Sequence, residues 1–246
     1  MPQVNILVIN LKKREDKLAS FKKMNPHIKF KVIEGIDGSE LPNNYKEVAK
    51  EIHLDEKYCN PEWWFSKKNF KCMTTIKKYL YGRIGCVLSH YKALQYAIDN
   101  SLSPLLILED DARLVKTKIP EPPDDCFMFY LGGSIPDDSV FNVGWNKINP
   151  KETKIWGTFG YGFSKLDNIK KCYTIIKSGF TAEVPYNQFK HKWHSFYKRM
   201  LQPIDNFYIN QIHKKTTCYL YNPILVEHVY DGKSDVSNAT HKKYSK

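Results

Sequence analysis

The stretch Leu105-Leu106-Ile107-Leu108-Glu109-Asp110-Asp111 constrains the fold more than any other segment. Its unbroken apolar run has no side suited to water. That is the mark of a strand covered on both faces, as in a parallel sheet flanked by helices. The carboxylates that follow at once have no place in a core. They belong at the carboxyl end of the strand, where open α/β sheets bind ligands. Crowded carboxylates repel one another unless a cation neutralises them, and an all-oxygen set suits a hard ion such as Mg²⁺ or Mn²⁺. A solvated acidic turn is the plainer reading of the same triplet.

The flanking pattern agrees with an α/β chain. Val4–Ile9 and Phe30–Ile33 read as strands, and Arg14–Met24 between them as a helix with Leu18 and Phe21 inward. Ile84, Val87, Leu88, Tyr91, Leu94 and Ile98 recur at helical spacing before the Leu105 strand. Phe127–Leu131 and Ile155–Ser164 read as extended, Leu166–Ile176 and Ile204–His213 as helical, and Tyr219–Val226 as a closing strand or two. Strands alternating with helices predict a mostly parallel sheet in a single domain. Residues 39–81 carry no clear period and are expected to form an insertion or lid.

Composition narrows the function. The 246 residues are 42% apolar, enough for a sizeable core. Lys and Arg total 38 against 26 Asp and Glu, a net charge of +12 that favours anionic partners. The basic residues are scattered and no nucleic-acid motif accompanies them, so a nucleic-acid-binding module is the weaker alternative. No run approaches the ~18 apolar residues of a membrane span, and no secretion signal opens the chain. A cytoplasmic protein is expected, of a bacterium or of a virus-infected host cell. None of the six cysteines forms a Cys-x-x-Cys pair, so free thiols are expected. Cys59 and Cys72 bracket a loop-like stretch and are the pair an oxidising compartment would join.

Three further segments carry candidate chemistry. Gly82-x-x-Gly85-x-x-x-Ser89-His90 opens a helix, where glycines allow close approach and an N-terminus favours phosphate. Simple helix–strand packing is the plainer reading of the segment standing alone. Asp205, after Pro203-Ile204, is either a helix N-cap or a general base for a sugar hydroxyl. His228, in Glu227-His228-Val229-Tyr230-Asp231, either completes a metal shell from far along the chain or lies in a surface loop.

Taken in order, these segments resemble the glycosyltransferases of lipooligosaccharide biosynthesis (family 25) and the related procollagen galactosyltransferases. The resemblance rests on Asn5-Ile6-Leu7-Val8-Ile9-Asn10-Leu11 with Arg14 and Asp16, on Ile36-Asp37-Gly38, and on Gly85-Cys86-x-Leu88-Ser89-His90. It continues through Leu108-Glu109-Asp110-Asp111-Ala112 with Arg113, Pro203-Ile204-Asp205 and Lys233-Ser234-Asp235. It runs from about residue 4 to 236 and lapses over 39–81 and 137–155. It implies a GT-A fold in one domain. A Rossmann-type nucleotide-sugar half (1–135) would be joined to an acceptor-side half (136–240).

The implied reaction is metal-dependent, inverting transfer of galactose or glucose from a UDP-sugar. The acceptor would be a hydroxyl of a glycan, or of hydroxylysine in a collagen-like protein. The implied cofactor is Mn²⁺ or Mg²⁺, held by Asp111 with Glu109 and His228; Asp110 competes for the Asp111 role. Asn10, Arg14, Asp37, Gly85, Ser89, His90, Glu109 and Asp110 would bind the nucleotide-sugar. Asp205 would be the base, with Glu227 and Asp235 as alternatives. A homologue that keeps the fold and has lost the activity is the other alternative.

Overall fold

The computed structural model describes residues 4–60, 74–135, 141–181 and 203–229. Its centre is a seven-stranded sheet in the order β2-β1-β3-β7-β5-β8-β6. The strands are β1 (Asn5–Leu11), β2 (Lys31–Gly35), β3 (Leu105–Glu109), β5 (Met128–Ser134), β6 (Gly144–Lys147), β7 (Trp156–Phe163) and β8 (Cys218–Asn222). A separate two-stranded ribbon pairs β4 (Ala112–Leu114) with β9 (Val226–His228).

β1 runs parallel to β2 and to β3, with Leu7 opposite Lys31 and Ile107. β7 lies antiparallel between β3 and β5. β8 is parallel to β5, and β6 runs against β8. The α/β class is the expected one. The sheet is parallel through β2, β1 and β3 and mixed beyond, because β7 enters its middle in the opposite sense. One consequence matters for function. The carboxyl ends of β1, β2 and β3 and the amino end of β7 share a single edge.

Strand alternation gives the sheet two cores. Leu7, Leu105 and Ile107 face one; Val8, Leu106 and Leu108 face the other. The first core is closed by α2 (Leu41–Glu51), α4 (Thr74–Asp99) and α5 (Leu166–Thr181). On α4, Ile84, Val87, Leu88, Tyr91 and Leu94 are all buried, as their spacing predicts. The second core holds Phe21 of α1 (Glu15–Met24) and the β4–β9 ribbon. On α1 the residue buried with Phe21 is Lys17 rather than Leu18.

Part of the expected insertion is ordered helix packed on the core. α2 buries Leu41, Val48 and Ala49, and a short α3 (Glu56–Cys59) buries Tyr58 and Cys59. Pro42 near the start of α2 and a non-helical kink at Asn44 interrupt its period, which hides it from pattern reading. Residues 61–73, including Cys72, lie outside the described residues, and so do 182–202. The cysteines described are free thiols. No helix among the described residues is long and apolar enough to cross a membrane.

Two close approaches set up the edge. A Cβ on Gly85 would lie 2.5 Å from the Ile36 carbonyl oxygen, so glycine lets α4 touch the turn after β2. A Cβ on Gly132 would lie 2.2 Å from the Val226 carbonyl oxygen, and one on Gly160 2.7 Å from the Val226 side chain. These glycines let β9 lie directly on the sheet.

Candidate functional site

The end of β3 splits its acidic triplet between the two faces of the sheet. Asp110 and Asp111 meet α1 and the β4–β9 ribbon. Glu109 meets α4 and β7.

On the first face, Asp111 is the centre. Its backbone carbonyl accepts from Val229 N at 2.7 Å, and the neighbouring Ala112 is in register with His228. That pairing brings His228 Nε2 to 3.3 Å from Asp111 Oδ2. The His228 ring stacks on Phe159, with centroids 5.3 Å apart. Lys17 reaches in from α1, its Nζ 3.5 Å from Asp111 Oδ2 and 3.9 Å from Asp110 Oδ1. Asp111 Oδ1 is buried with no hydrogen-bond partner among the described residues. Burial by itself pushes the Asp111 carboxyl up, but His228 and Lys17 outweigh it and hold the group below the usual carboxylate range. The same hydrogen bond raises the His228 imidazole against the opposing effect of its own burial.

On the second face, Thr158 of β7 donates to Glu109 Oε1 at 2.5 Å. His90 Nε2 lies 3.4 Å from the same oxygen. The other His90 nitrogen, Nδ1, is 2.8 Å from the Tyr161 hydroxyl, which is 3.0 Å from the Tyr208 hydroxyl. His90 and both tyrosines are buried, so a polar chain runs from Glu109 into the core.

Asp205 sits in the first turn of α6 (Ile204–Tyr208). Its Oδ2 accepts from Gly157 N at 2.9 Å and its Oδ1 from Asn206 N at 2.6 Å. It thereby ties α6 to the start of β7. The Cys86 thiol on α4 is pushed well up, first by desolvation and then by the charges of Glu109, Asp205 and Asp111, so these carboxylates share one neighbourhood. Of the alternative carboxylates, Glu227 forms an ion pair with Arg113 across the β4–β9 ribbon, its Oε2 accepting from Nε at 3.1 Å. Asp235 lies outside the described residues.

The remaining candidates occupy the β1–β2 end of the edge. A cleft of about 640 Å³ opens there, lined by Leu11, Lys13, Gly35, Asp37, Asn44 and Lys92 among others. Asp37 pairs with Lys13 and accepts from the Ser39 hydroxyl at 2.7 Å. Burial opposes ionisation of Asp37, and these partners still hold its carboxyl below the usual value. Asn10 donates to the Leu11 carbonyl at 2.8 Å and leaves a buried Oδ1 with no partner among the described residues. Arg14 is engaged with Asp16, Nε to Oδ1 at 3.0 Å. Ser89 donates to Gly85 O and accepts from Ile36 N, each at 2.7 Å. Gly85 and Ser89 together fasten α4 to the end of β2.

The structure thus brings Asp111 and His228 into direct contact, while Glu109 contacts Thr158 and His90 and acts on His228 through its charge. Among the described residues, no group of three His, Cys, Asp or Glu side chains is arranged to hold a metal ion. Lys17, Thr158, Phe159 and Tyr161 were not singled out from sequence. Lys17 alone left a trace, since it stands one helical turn before Phe21 on the buried stripe of α1.

The family model "Glycosyltransferase family 25 (LPS biosynthesis protein)" matches residues 3–125, half of the chain. The chain belongs to glycosyltransferase family 25. The family match covers β1 to β4, and with them Asn10, Lys17, Asp37, His90 and the acidic triplet. Thr158, Asp205 and His228 come from the other half of the chain. The chain is also similar to procollagen galactosyltransferase 2 of Homo sapiens, 32% identical over 110 residues. The Mus musculus protein of the same name is 31% identical over 110 residues. Each match covers 44% of this chain and 16% of the relative.

Proposed function

We propose that this family 25 member transfers a hexose, galactose or glucose, from a UDP-sugar to a hydroxyl group, with inversion and with a divalent cation. The acceptor is a glycan or hydroxylysine in a collagen-like protein. One observation carries this reading. A buried, unpartnered carboxylate oxygen of Asp111 stands beside His228 at the carboxyl edge of the sheet that also bears the cleft.

The donor types suit Mn²⁺ or Mg²⁺ in chemistry, though not yet in arrangement: a carboxylate oxygen with spare lone pairs, an imidazole nitrogen, and Asp110 adjacent. Asp111 and His228 would hold the ion, which when bound offsets the charge that develops on the departing diphosphate. The cleft takes the nucleoside, with Asp37 as acceptor for its hydroxyls and the spare Asn10 oxygen as acceptor for an N–H or O–H. Arg14 adds positive charge at the start of α1 for the phosphates. Glu109, oriented by Thr158 and His90, accepts from hydroxyls of the donor sugar. Asp205, its orientation fixed by two backbone N–H groups, takes the proton of the acceptor hydroxyl as that oxygen attacks the anomeric carbon. The nucleoside diphosphate leaves from the opposite face, so a single displacement inverts the centre.

The test is a donor screen. Purified protein with MnCl₂ is mixed with a panel of nucleotide-sugars, and released nucleoside diphosphate is measured. Release from one UDP-hexose is expected, abolished by EDTA and reduced about 100-fold or more by Asp111→Ala. Release that EDTA leaves intact overturns the metal-dependent reading. No release, together with no Mn²⁺-dependent binding of UDP in calorimetry, leaves the inactive homologue.

A further inference from the structure

Lys17 is out of place by ordinary rules. A lysine on the first helix of an α/β chain normally points to water, yet this side chain is 8% exposed. Burying an ammonium is costly unless it is paired. Its partners include Asp110 and Asp111, at 3.9 and 3.5 Å. Asp111 Oδ2 is shared between Lys17 and His228, so the ammonium stands at the pair read above as cation ligands. Its positive charge is felt at both, favouring the ionised carboxylate and opposing positive charge on the imidazole. Lys17 therefore supplies a unit of positive charge that offsets Asp110 and Asp111.

We propose that Lys17 is a tethered cation that opposes entry of the divalent ion until the donor's diphosphate is present, so that ion and donor bind as a pair. The inference rests on the reading of Asp111 and His228 as the cation site. Its physical basis is charge balance. With Lys17 alone the aspartates are already partly neutralised, and a divalent ion added to them meets an ammonium in a poorly solvated place. The diphosphate adds negative charge, restores attraction for the ion and gives the ammonium an anionic partner besides the two aspartates. Cation and nucleotide then raise each other's affinity by the same factor, as linkage requires.

The experiment titrates MnCl₂ into wild type, Lys17→Met and Lys17→Arg by calorimetry, with and without UDP. In wild type, UDP is expected to tighten Mn²⁺ binding on the order of tenfold or more. Lys17→Met should bind Mn²⁺ without UDP on the order of tenfold more tightly than wild type, and lose most of the coupling. Lys17→Arg, which keeps the charge, should follow wild type. A merely structural role for Lys17 would weaken Mn²⁺ binding on substitution, never strengthen it. Equal or weaker Mn²⁺ binding by folded Lys17→Met overturns the proposal. Should that variant not fold, Lys17→Gln is read in the same way. Mn²⁺ binding by wild type that is indifferent to UDP overturns it whichever variants fold. If wild type binds no Mn²⁺ even with UDP, or Asp111→Ala binds it equally well, the cation site itself is refuted.

Discussion

Single side chains at the sheet edge divide into those that hold the frame and those left open toward the site. Ser89 belongs to the frame. Its hydroxyl satisfies the buried Ile36 amide and the Gly85 carbonyl at once. Ser89→Ala leaves that amide without a partner and should cost about 1–3 kcal/mol, read as a lower urea midpoint at unchanged m-value. Asp111 is the opposite case. One of its oxygens is engaged by His228 and Lys17 and the other is buried and open. Asp111→Asn keeps the shape and removes the charge. It should abolish Mn²⁺-dependent UDP binding in calorimetry, where Ser89→Ala should retain it.

At the scale of elements, the decisive contacts are backbone against backbone. α4 seats on the turn after β2 only because Gly85 offers no Cβ. Gly85→Ala would push a methyl group against the Ile36 carbonyl and move the helix that carries Ser89 and His90. The expected loss is about 1–3 kcal/mol, measured by denaturant unfolding, together with a weaker UDP affinity. The α4 period and the β3 run were readable because each is a long, locally consistent pattern. α2 was not, since Pro42 and the kink at Asn44 break its stripe. The β4–β9 ribbon was not, since each of its strands has three residues, too few to show alternation.

Across the whole molecule, buried titratable groups tie stability to pH. His213 is buried in the π-helical turn that follows α6, its Nε2 2.8 Å from the Tyr130 hydroxyl. Burial pushes its imidazole down from 6.5 to about 4. The unfolded chain takes up a proton near pH 6.5 that the native state refuses until about pH 4. The His213 contribution is therefore complete above pH 6.5 and is lost as pH falls toward 4, a decline of about 3 kcal/mol. Unfolding free energies at pH 7 and pH 4.5 should show this loss in wild type, and His213→Gln should remove most of it. An equal decline in both proteins would refute the assignment.

The sequence by itself determined the strand ending in carboxylates, the amphipathic α4, the α/β class and the family. Each rests on local chemistry that survives in any arrangement of the rest: apolar runs must be covered, and crowded carboxylates must be at an edge. The tertiary structure decided which carboxylate works with which partner. Glu109 ends β3 and meets Thr158 and His90, while Asp111 lies in the turn beyond the strand, where it meets Lys17 and His228. His228 arrives only because β9 pairs with β4 and because Gly132 and Gly160 leave room for it on the sheet. Such long-range register has no local signature. It is set by the packing of elements far apart in the chain.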